Sequence, residues 1–293
     1  MAATDESSVG LSGPSHPPAD TGPGREQAAD RQDPTRWGGS PLHWVFDAWS
    51  WAADDADPAW LSAAERERLA GFRFDKRRRD WLLGRRTAKR VVTQTLVQRY
   101  GGSPTLAALE VAADPSGAPF ARLAPEAPPF RDLAPGTRLP LSVSISHSHG
   151  AAFCAALWSD PNAEAVGADL ERIEPRAEAL VRDFFTAEEI EASTGRADRD
   201  AFVNGVWSAK EAVLKALGRG LTVDTRGVSC LPDTAGDVGP GGWRSFGVRC
   251  SPDLLDNPSE IHGFWQAWDG FVLTLALVRV ATPARGLPAP LAY

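Results

Sequence analysis

Along residues 202–218 the apolar positions recur at helical spacing. With about 3.6 residues per turn, Val203, Val206, Val213, Leu214 and Leu217 form one broad stripe, with Lys210 inside it and Glu211 on its edge beside Trp207. Burying an ammonium or a carboxylate without a partner costs on the order of several kcal/mol. An inward Lys–Glu pair therefore marks either a structural ion pair or a cleft where a charged ligand or metal completes the set. Residues 165–173 change period: Val166, Ala168 and Leu170 alternate with Gly167, Asp169 and Glu171, as in a strand whose two carboxylates leave the same face.

The same patterning predicts a strand over residues 42–49, a helix from Ser62, a long basic helix ending near Arg99, and strands at residues 109–112 and 141–146. Residues 151–158 complete a hairpin through the turn His147-Ser148-His149-Gly150, and the proline-dense residues 115–140 read as an irregular loop. Helices near residues 177–182 and 187–193 follow, and strands at residues 243–250, 262–268 and 271–280 close the chain. Each half runs strand, a corner bearing Phe72 and Phe74 or Phe184 and Phe185, a long helix bearing Ala88-Lys89 or Ala209-Lys210, then antiparallel strands. The expected fold is α+β, a pseudo-twofold pair of similar α+β subdomains with the active site in the cleft between them. Residues 1–40 read as a disordered tail, 41–162 as the N-terminal subdomain, and 163–285 as the C-terminal subdomain carrying the metal site.

Composition narrows the classes. The 293 residues are 43% apolar, enough for a core, but residues 1–40 are dominated by Gly, Pro, Ser, Asp and Ala and cannot offset their ordering entropy. They lack the basic start and apolar stretch of a secretory signal, and no run is long enough to span a membrane. The three cysteines, Cys154, Cys230 and Cys250, are far apart and odd in number, which argues against a disulfide framework and against a zinc site, so a cytoplasmic protein is expected. A net charge of −7 excludes general nucleic-acid binding. It hides a basic stretch between Arg66 and Arg90, in which Arg78, Arg85 and Lys89 flank the buried stripe of the long helix and are placed to line a phosphate groove, with Arg79, Arg86 and Arg90 on the solvated face.

Asp169, Glu171 and Glu211 would repel one another when gathered, a conflict a divalent cation removes, and hard oxygen ligands favour Mg²⁺ or Mn²⁺. Four motifs then stand in order: Ser-Ile-Ser-His-Ser at 144–148, Gly-Ala-Asp-Leu-Glu at 167–171, Phe-Phe-Thr-Ala-Glu-Glu at 184–189, and Trp-Ser-Ala-Lys-Glu-Ala with a further lysine at 207–215. Together, over residues 42–282, they resemble the 4′-phosphopantetheinyl transferases of the surfactin-synthetase-activating type. The resemblance implies transfer of the phosphopantetheine arm of coenzyme A to a serine of an acyl- or peptidyl-carrier protein, with release of adenosine 3′,5′-bisphosphate. It implies that Asp169, Glu171 and Glu211 bind Mg²⁺, that Asp169 thereby faces the cofactor, and that Glu189 is the base, with Glu211 the alternative. Ser146, His147, Lys210 and Lys215 match phosphate-binding positions, and Lys76 and Arg85 match positions facing the 3′-phosphate. The family's basic residue before the Ser-His strand is replaced in Gly117-Ala118-Pro119, leaving Arg122 or Arg131 as substitutes. Another Mg²⁺-dependent nucleotide or pyrophosphate enzyme needs the same acids, while a non-catalytic binding module does not need three converging carboxylates. A duplicated chain that builds its own cleft need not dimerise, and a monomer is expected.

Overall fold

The computed structural model describes residues 36–37, 40–48, 58–160, 162–234, 236, 238–255 and 259–280. Most of the expected tail, Trp49 at the end of the first predicted strand, and residues 281–285 lie outside them.

The first half begins with β1 (Arg36–Trp37) and β2 (Ser40–Ala48), continues through the helices α1 (Ala63–Ala70) and α2 (Asp75–Tyr100), then β3 (Leu109–Ala113), β4 (Pro119–Leu123), β5 (Leu141–Ser148) and β6 (Ala151–Trp158). The second half repeats the order with β7 (Glu164–Arg172), α3 (Glu178–Phe184), α4 (Ala187–Ser193), α5 (Arg199–Ala216), β8 (Val228–Pro232), β9 (Arg244–Cys250), β10 (Ser259–Trp268) and β11 (Phe271–Val280). One sheet has the order β1-β2-β6-β5, with β3-β4 as a separate hairpin, and the other has the order β7-β11-β10-β9-β8. Mixed helices and antiparallel strands confirm the α+β expectation. Three strands escape the sequence reading: the two-residue β1 within the stretch read as a tail, β4 and β8. β4 lies inside the stretch read as irregular, where Pro119 takes the first strand position, and β8 is a five-residue edge strand ending in Pro232. Both are places where a strand tolerates proline.

Period-two alternation gives each sheet two buried faces. On β6, Phe153, Ala155 and Leu157 turn towards Val166, Ala168 and Leu170 of β7 and Leu273, Leu275 and Leu277 of β11, making a core shared by the two halves. Cys154 and Ala156 turn the other way, onto Ala88, Val91 and Val92 of α2. In the second sheet Ala276 and Val278 meet Ala209, Ala212 and Val213 of α5. The layers therefore run helix, sheet, sheet, helix. The approach of α5 to β7 is close: a Cβ on Gly167 would stand 1.8 Å from the Ala212 carbonyl oxygen, so only glycine fits there.

The serines of β5 add a polar seam. Val166 N–H donates to Ser142 Oγ at 2.9 Å and Ala168 N–H to Ser144 Oγ at 2.8 Å, while Ser144 donates back to the Ala168 carbonyl at 3.4 Å. β7 is the edge of its sheet, and these hydroxyls satisfy the backbone groups that β11 does not reach. A left-handed His149 (φ 50°) followed by Gly150 (φ 75°) forms the tight turn between β5 and β6.

Replacing Ser144 by Ala leaves the buried Ala168 N–H without its acceptor. The expected loss is about 1–3 kcal/mol of unfolding free energy, read from urea denaturation; an unchanged midpoint would mean the seam carries no load.

Candidate active site

At its far end the seam reaches a carboxylate. Asp169, on the α5-facing side of β7, is 1% exposed, and its Oδ1 accepts from Ser146 Oγ at 2.8 Å and from Lys215 Nζ at 2.6 Å. Its Oδ2 is buried with no hydrogen-bond partner. Lys215 also donates to the Ala168 carbonyl at 3.3 Å and lies 3.7 Å from Glu211, one turn back on α5. Ser208 and Thr274 share a hydrogen bond at 2.8 Å, joining α5 to β11 at the strand position that pairs with Asp169.

The acids act on one another. Burial and the charges of Asp169 and Glu171 push the Glu211 carboxyl up to about 7 against the pull of Lys215. Burial and Asp169 also raise Glu171, and Arg176 opposes them with an ion pair at 2.5 Å. Burial disfavours the Lys215 ammonium, yet Asp169, Glu211 and Glu171 hold its pKa above the ordinary lysine value. His147, the next residue of the seam strand, is exposed, but partial burial of its ring lowers its pKa; Asp80 opposes that shift, and Lys215 and Lys76 add to it. His147 also lies against Gly84, so the start of α2 in the first half and the end of α5 in the second meet around this strand.

Of the residues expected at the site, Asp169, Glu211, Lys215 and Ser146 converge, with His147 beside them. Glu171 shares the field but is clamped by Arg176, which the sequence reading overlooked. Lys76 is solvent-exposed and paired with Asp80 at 3.0 Å. Arg85 stands apart on the ring of Trp81, 4.9 Å from its centroid, with Nε and Nη1 buried and unpartnered. Burial depresses its pKa, against the attraction of Glu65.

Lys210 and Glu189 do not join the cluster. Lys210 is paired with Glu189 at 2.8 Å, and neither is exposed. The inward pair expected between Lys210 and Glu211 is instead Lys210 with Glu189, because adjacent helix residues diverge by about 100°. In α2, Lys89 is likewise fully buried on Glu65 rather than flanking a groove, while Arg90 is exposed on the solvated face as expected and pairs with Asp47. Of the two candidates for the place of the basic residue missing at Ala118, Arg122 donates to Glu110 at 2.8 Å and Arg131 to the Tyr100 carbonyl at 3.2 Å.

Among the described residues, no three His, Cys, Asp or Glu side chains are grouped so as to hold a metal ion as they stand. The donor set nonetheless fits a hard cation, because Mg²⁺ needs only one or two carboxylates beside phosphate and water oxygens. Asp169 Oδ2 is an unsatisfied buried acceptor, and Glu211 holds a proton where a cation would replace it. The first half makes the contrast. There Asp47 receives Thr87 Oγ1 at 3.0 Å and the guanidinium of Arg90, whose place after the buried lysine is the place Glu211 takes in the second half. A fixed cation answers the acid in one half. In the other half the matching helix residue is a second acid.

Residues 165–250, which carry Asp169, Glu189, Lys210, Glu211 and Lys215, match the model of the 4′-phosphopantetheinyl transferase superfamily. No curated protein matches the chain. Among solved structures, the holo-[acyl-carrier-protein] synthase of Thermotoga maritima is 23% identical with a TM-score of 0.31; the match covers 39% of this chain and 62% of that one, so less than two thirds of that relative is spanned. The Chronobacterium ammoniagenes ACPS–CoA complex is 20% identical over 41% of this chain and 99% of its own, with a TM-score of 0.33. A Bacillus anthracis holo-(acyl-carrier-protein) synthase in complex with CoA (3′,5′-ADP) is 20% identical over 40% and 96%, with a TM-score of 0.32. No helix among the described residues is long and apolar enough to cross a membrane.

The raised Glu211 pKa sets a sign for stability. A carboxyl that titrates near 7 when folded and near 4.5 when unfolded favours the folded state fully below 4.5 and loses that contribution as pH rises towards 7. Without divalent cations, wild type should lose on the order of 2–3 kcal/mol relative to Glu211→Gln across that window, measured by thermal unfolding at stepped pH. Saturating Mg²⁺ should restore most of the loss on the alkaline side.

Proposed function

We propose that this chain is a 4′-phosphopantetheinyl transferase of the surfactin-synthetase-activating type, which moves the phosphopantetheine arm of coenzyme A to a serine of an acyl- or peptidyl-carrier protein and releases adenosine 3′,5′-bisphosphate. The observation that carries the reading is Asp169, buried where the two halves meet, with one oxygen held by a lysine and a serine and the other by nothing. The superfamily match over the stretch that supplies Asp169, Glu211 and Lys215 supports it. Two similar halves in one chain support the surfactin-synthetase-activating type.

In this reaction the serine Oγ bonds to the phosphorus bearing the pantetheine arm. The pyrophosphate P–O bond breaks, its electron pair leaves with the bisphosphate, and the serine proton is released. Such a transfer depends on in-line placement and charge neutralisation more than on a covalent catalyst. Asp169 and Glu211 would hold Mg²⁺ or Mn²⁺, which when bound neutralises charge on the pyrophosphate oxygens. Ser146 fixes the Asp169 carboxylate, and Lys215, kept charged by the acids around it, offers its ammonium to the departing bisphosphate. His147, exposed and with its pKa lowered, presents a neutral N–H to a phosphate oxygen. The unpartnered guanidinium N–H groups of Arg85 suit the 3′-phosphate, and exposed Lys76 adds charge at the mouth.

Incubated with coenzyme A, Mg²⁺ and an apo carrier protein, the wild type should add one phosphopantetheine to the carrier serine, read by intact-protein mass spectrometry. Asp169→Ala should lower kcat/KM on the order of 10³-fold or more and Lys215→Ala on the order of 10²-fold. A near-normal rate for Asp169→Ala would remove the acid cluster from the reaction.

A further inference from the structure

One buried joint occurs twice in the chain, with the same atoms in the same roles. In the first half, Glu65 is the third residue of α1 and closes the capping box that Ser62 opens. Its Oε2 accepts from the Ser62 N–H at 2.9 Å and from the Lys89 ammonium, and its Oε1 accepts from the Val111 N–H of β3 at 3.0 Å. Lys89 donates its other two protons to the Trp60 carbonyl at 3.0 Å and the Leu106 carbonyl at 2.9 Å, and its ammonium lies 5.6 Å from the Trp60 ring centroid.

In the second half, Glu189 is the third residue of α4 and closes the capping box that Thr186 opens. Its Oε2 accepts from the Thr186 N–H at 2.7 Å and from Lys210 Nζ at 2.8 Å, and its Oε1 accepts from the Cys230 N–H of β8 at 2.7 Å. Lys210 donates its remaining protons to the Thr225 carbonyl at 3.0 Å and the Val228 carbonyl at 2.5 Å, and its ammonium lies 5.8 Å from the Phe185 ring centroid. Neither carboxylate has an unengaged oxygen, and neither ammonium has a proton to spare for a phosphate.

The first copy shows what the device is for. Beside it Arg90 answers Asp47 and Arg122 answers Glu110, so the Glu65–Lys89 pair keeps its full wiring where each neighbouring acid is paired with an arginine. A joint retained without a neighbouring acid cluster is mechanical. It ties the start of a short helix, the first residues of a strand and the middle of a long helix to one point. Lys210 precedes Glu211 directly, and Lys215 lies one turn beyond Glu211, so holding the ammonium fixes the rotation of α5 about its axis.

We propose that Glu189 and Lys210 are positioning residues, a buried joint that sets the rotation of α5 and so delivers Glu211 and Lys215 to Asp169, and that neither touches the phosphates or takes the serine proton. Their part in catalysis rests on the transferase reading; the joint itself does not.

The test uses Glu189→Gln, Lys210→Met and the double variant, with three readouts: thermal unfolding, Mn²⁺ affinity by electron paramagnetic resonance, and the pH profile of carrier modification. Lys210→Met leaves the Glu189 carboxylate and the Thr225 and Val228 carbonyls without their donor, and Glu189→Gln leaves the ammonium uncompensated and turns an amide N–H on a backbone N–H, so each should unfold at a much lower temperature and bind Mn²⁺ at least about tenfold more weakly. The double change removes both buried charges and leaves only neutral groups, among them the Thr225 and Val228 carbonyls, without partners. It should regain much of the lost stability, return to within a few-fold of wild-type Mn²⁺ affinity, and keep kcat within about tenfold of wild type with the limbs of its pH profile in place. If the single variants are too unstable to assay, the double variant decides. A double variant that folds and binds Mn²⁺ as wild type does, yet loses kcat on the order of 10³-fold or loses one limb of the pH profile, overturns the proposal. So do additive losses of stability in the two single changes. A wild type that modifies no carrier at all sinks the transferase reading, while the stability and Mn²⁺ readouts still judge the joint.

Discussion

The structure depends on a place where two sheets touch without sharing a ladder. β7 is an edge strand, and an edge strand carries backbone donors and acceptors that must be satisfied when buried. Here the hydroxyls of Ser142 and Ser144 do this, and the next hydroxyl on the same face, Ser146, reaches a side chain instead of the backbone. The seam that joins the halves thus passes directly into the carboxylate of Asp169. Structural register and site geometry are set by one row of serines, with the shared apolar core of Phe153, Leu157, Leu273 and Leu275 beneath it.

Around that row the two halves use charge differently. Each places a buried lysine at the middle of its long helix and ties it to a capping glutamate. Each then sets an acid on its first strand opposite the following helix residue. Where that residue is Arg90, the acid is neutralised within the chain; where it is Glu211, burial and repulsion push the Glu211 carboxyl up to about 7, and one oxygen of Asp169 is unanswered. Clamping of Glu171 by Arg176 keeps the local excess of negative charge from growing further.

Much of this was legible in the chain. The period of three to four residues in α5 and of two in β7 located both elements, and the repeat of strand, corner, long helix and strands anticipated the paired architecture. Asp169, Glu211, Lys215 and Ser146 could be brought together on paper because they sit on long, strongly patterned elements. Pairing was harder to read. A lysine in an apolar stripe announces that it has a partner but does not name it, and the true partner of Lys210 comes from α4, whose approach is a tertiary fact. A signal was present all the same, in Ser62-Ala63-Ala64-Glu65 and Thr186-Ala187-Glu188-Glu189, the capping-box spacing ahead of each long helix. The seam itself was hidden because alternating serines look the same whether they face water or another strand.

Arg90 carries a last consequence. A frame with twofold character offers a linear, multiply anionic ligand two equivalent ways to lie across it, head to tail or reversed. One end now holds a permanent guanidinium already committed to Asp47, and the other a pair of acids that, in the function proposed above, would meet phosphate through an acquired ion. That inequality abolishes the degeneracy, so the chain imposes a polarity on whatever crosses it.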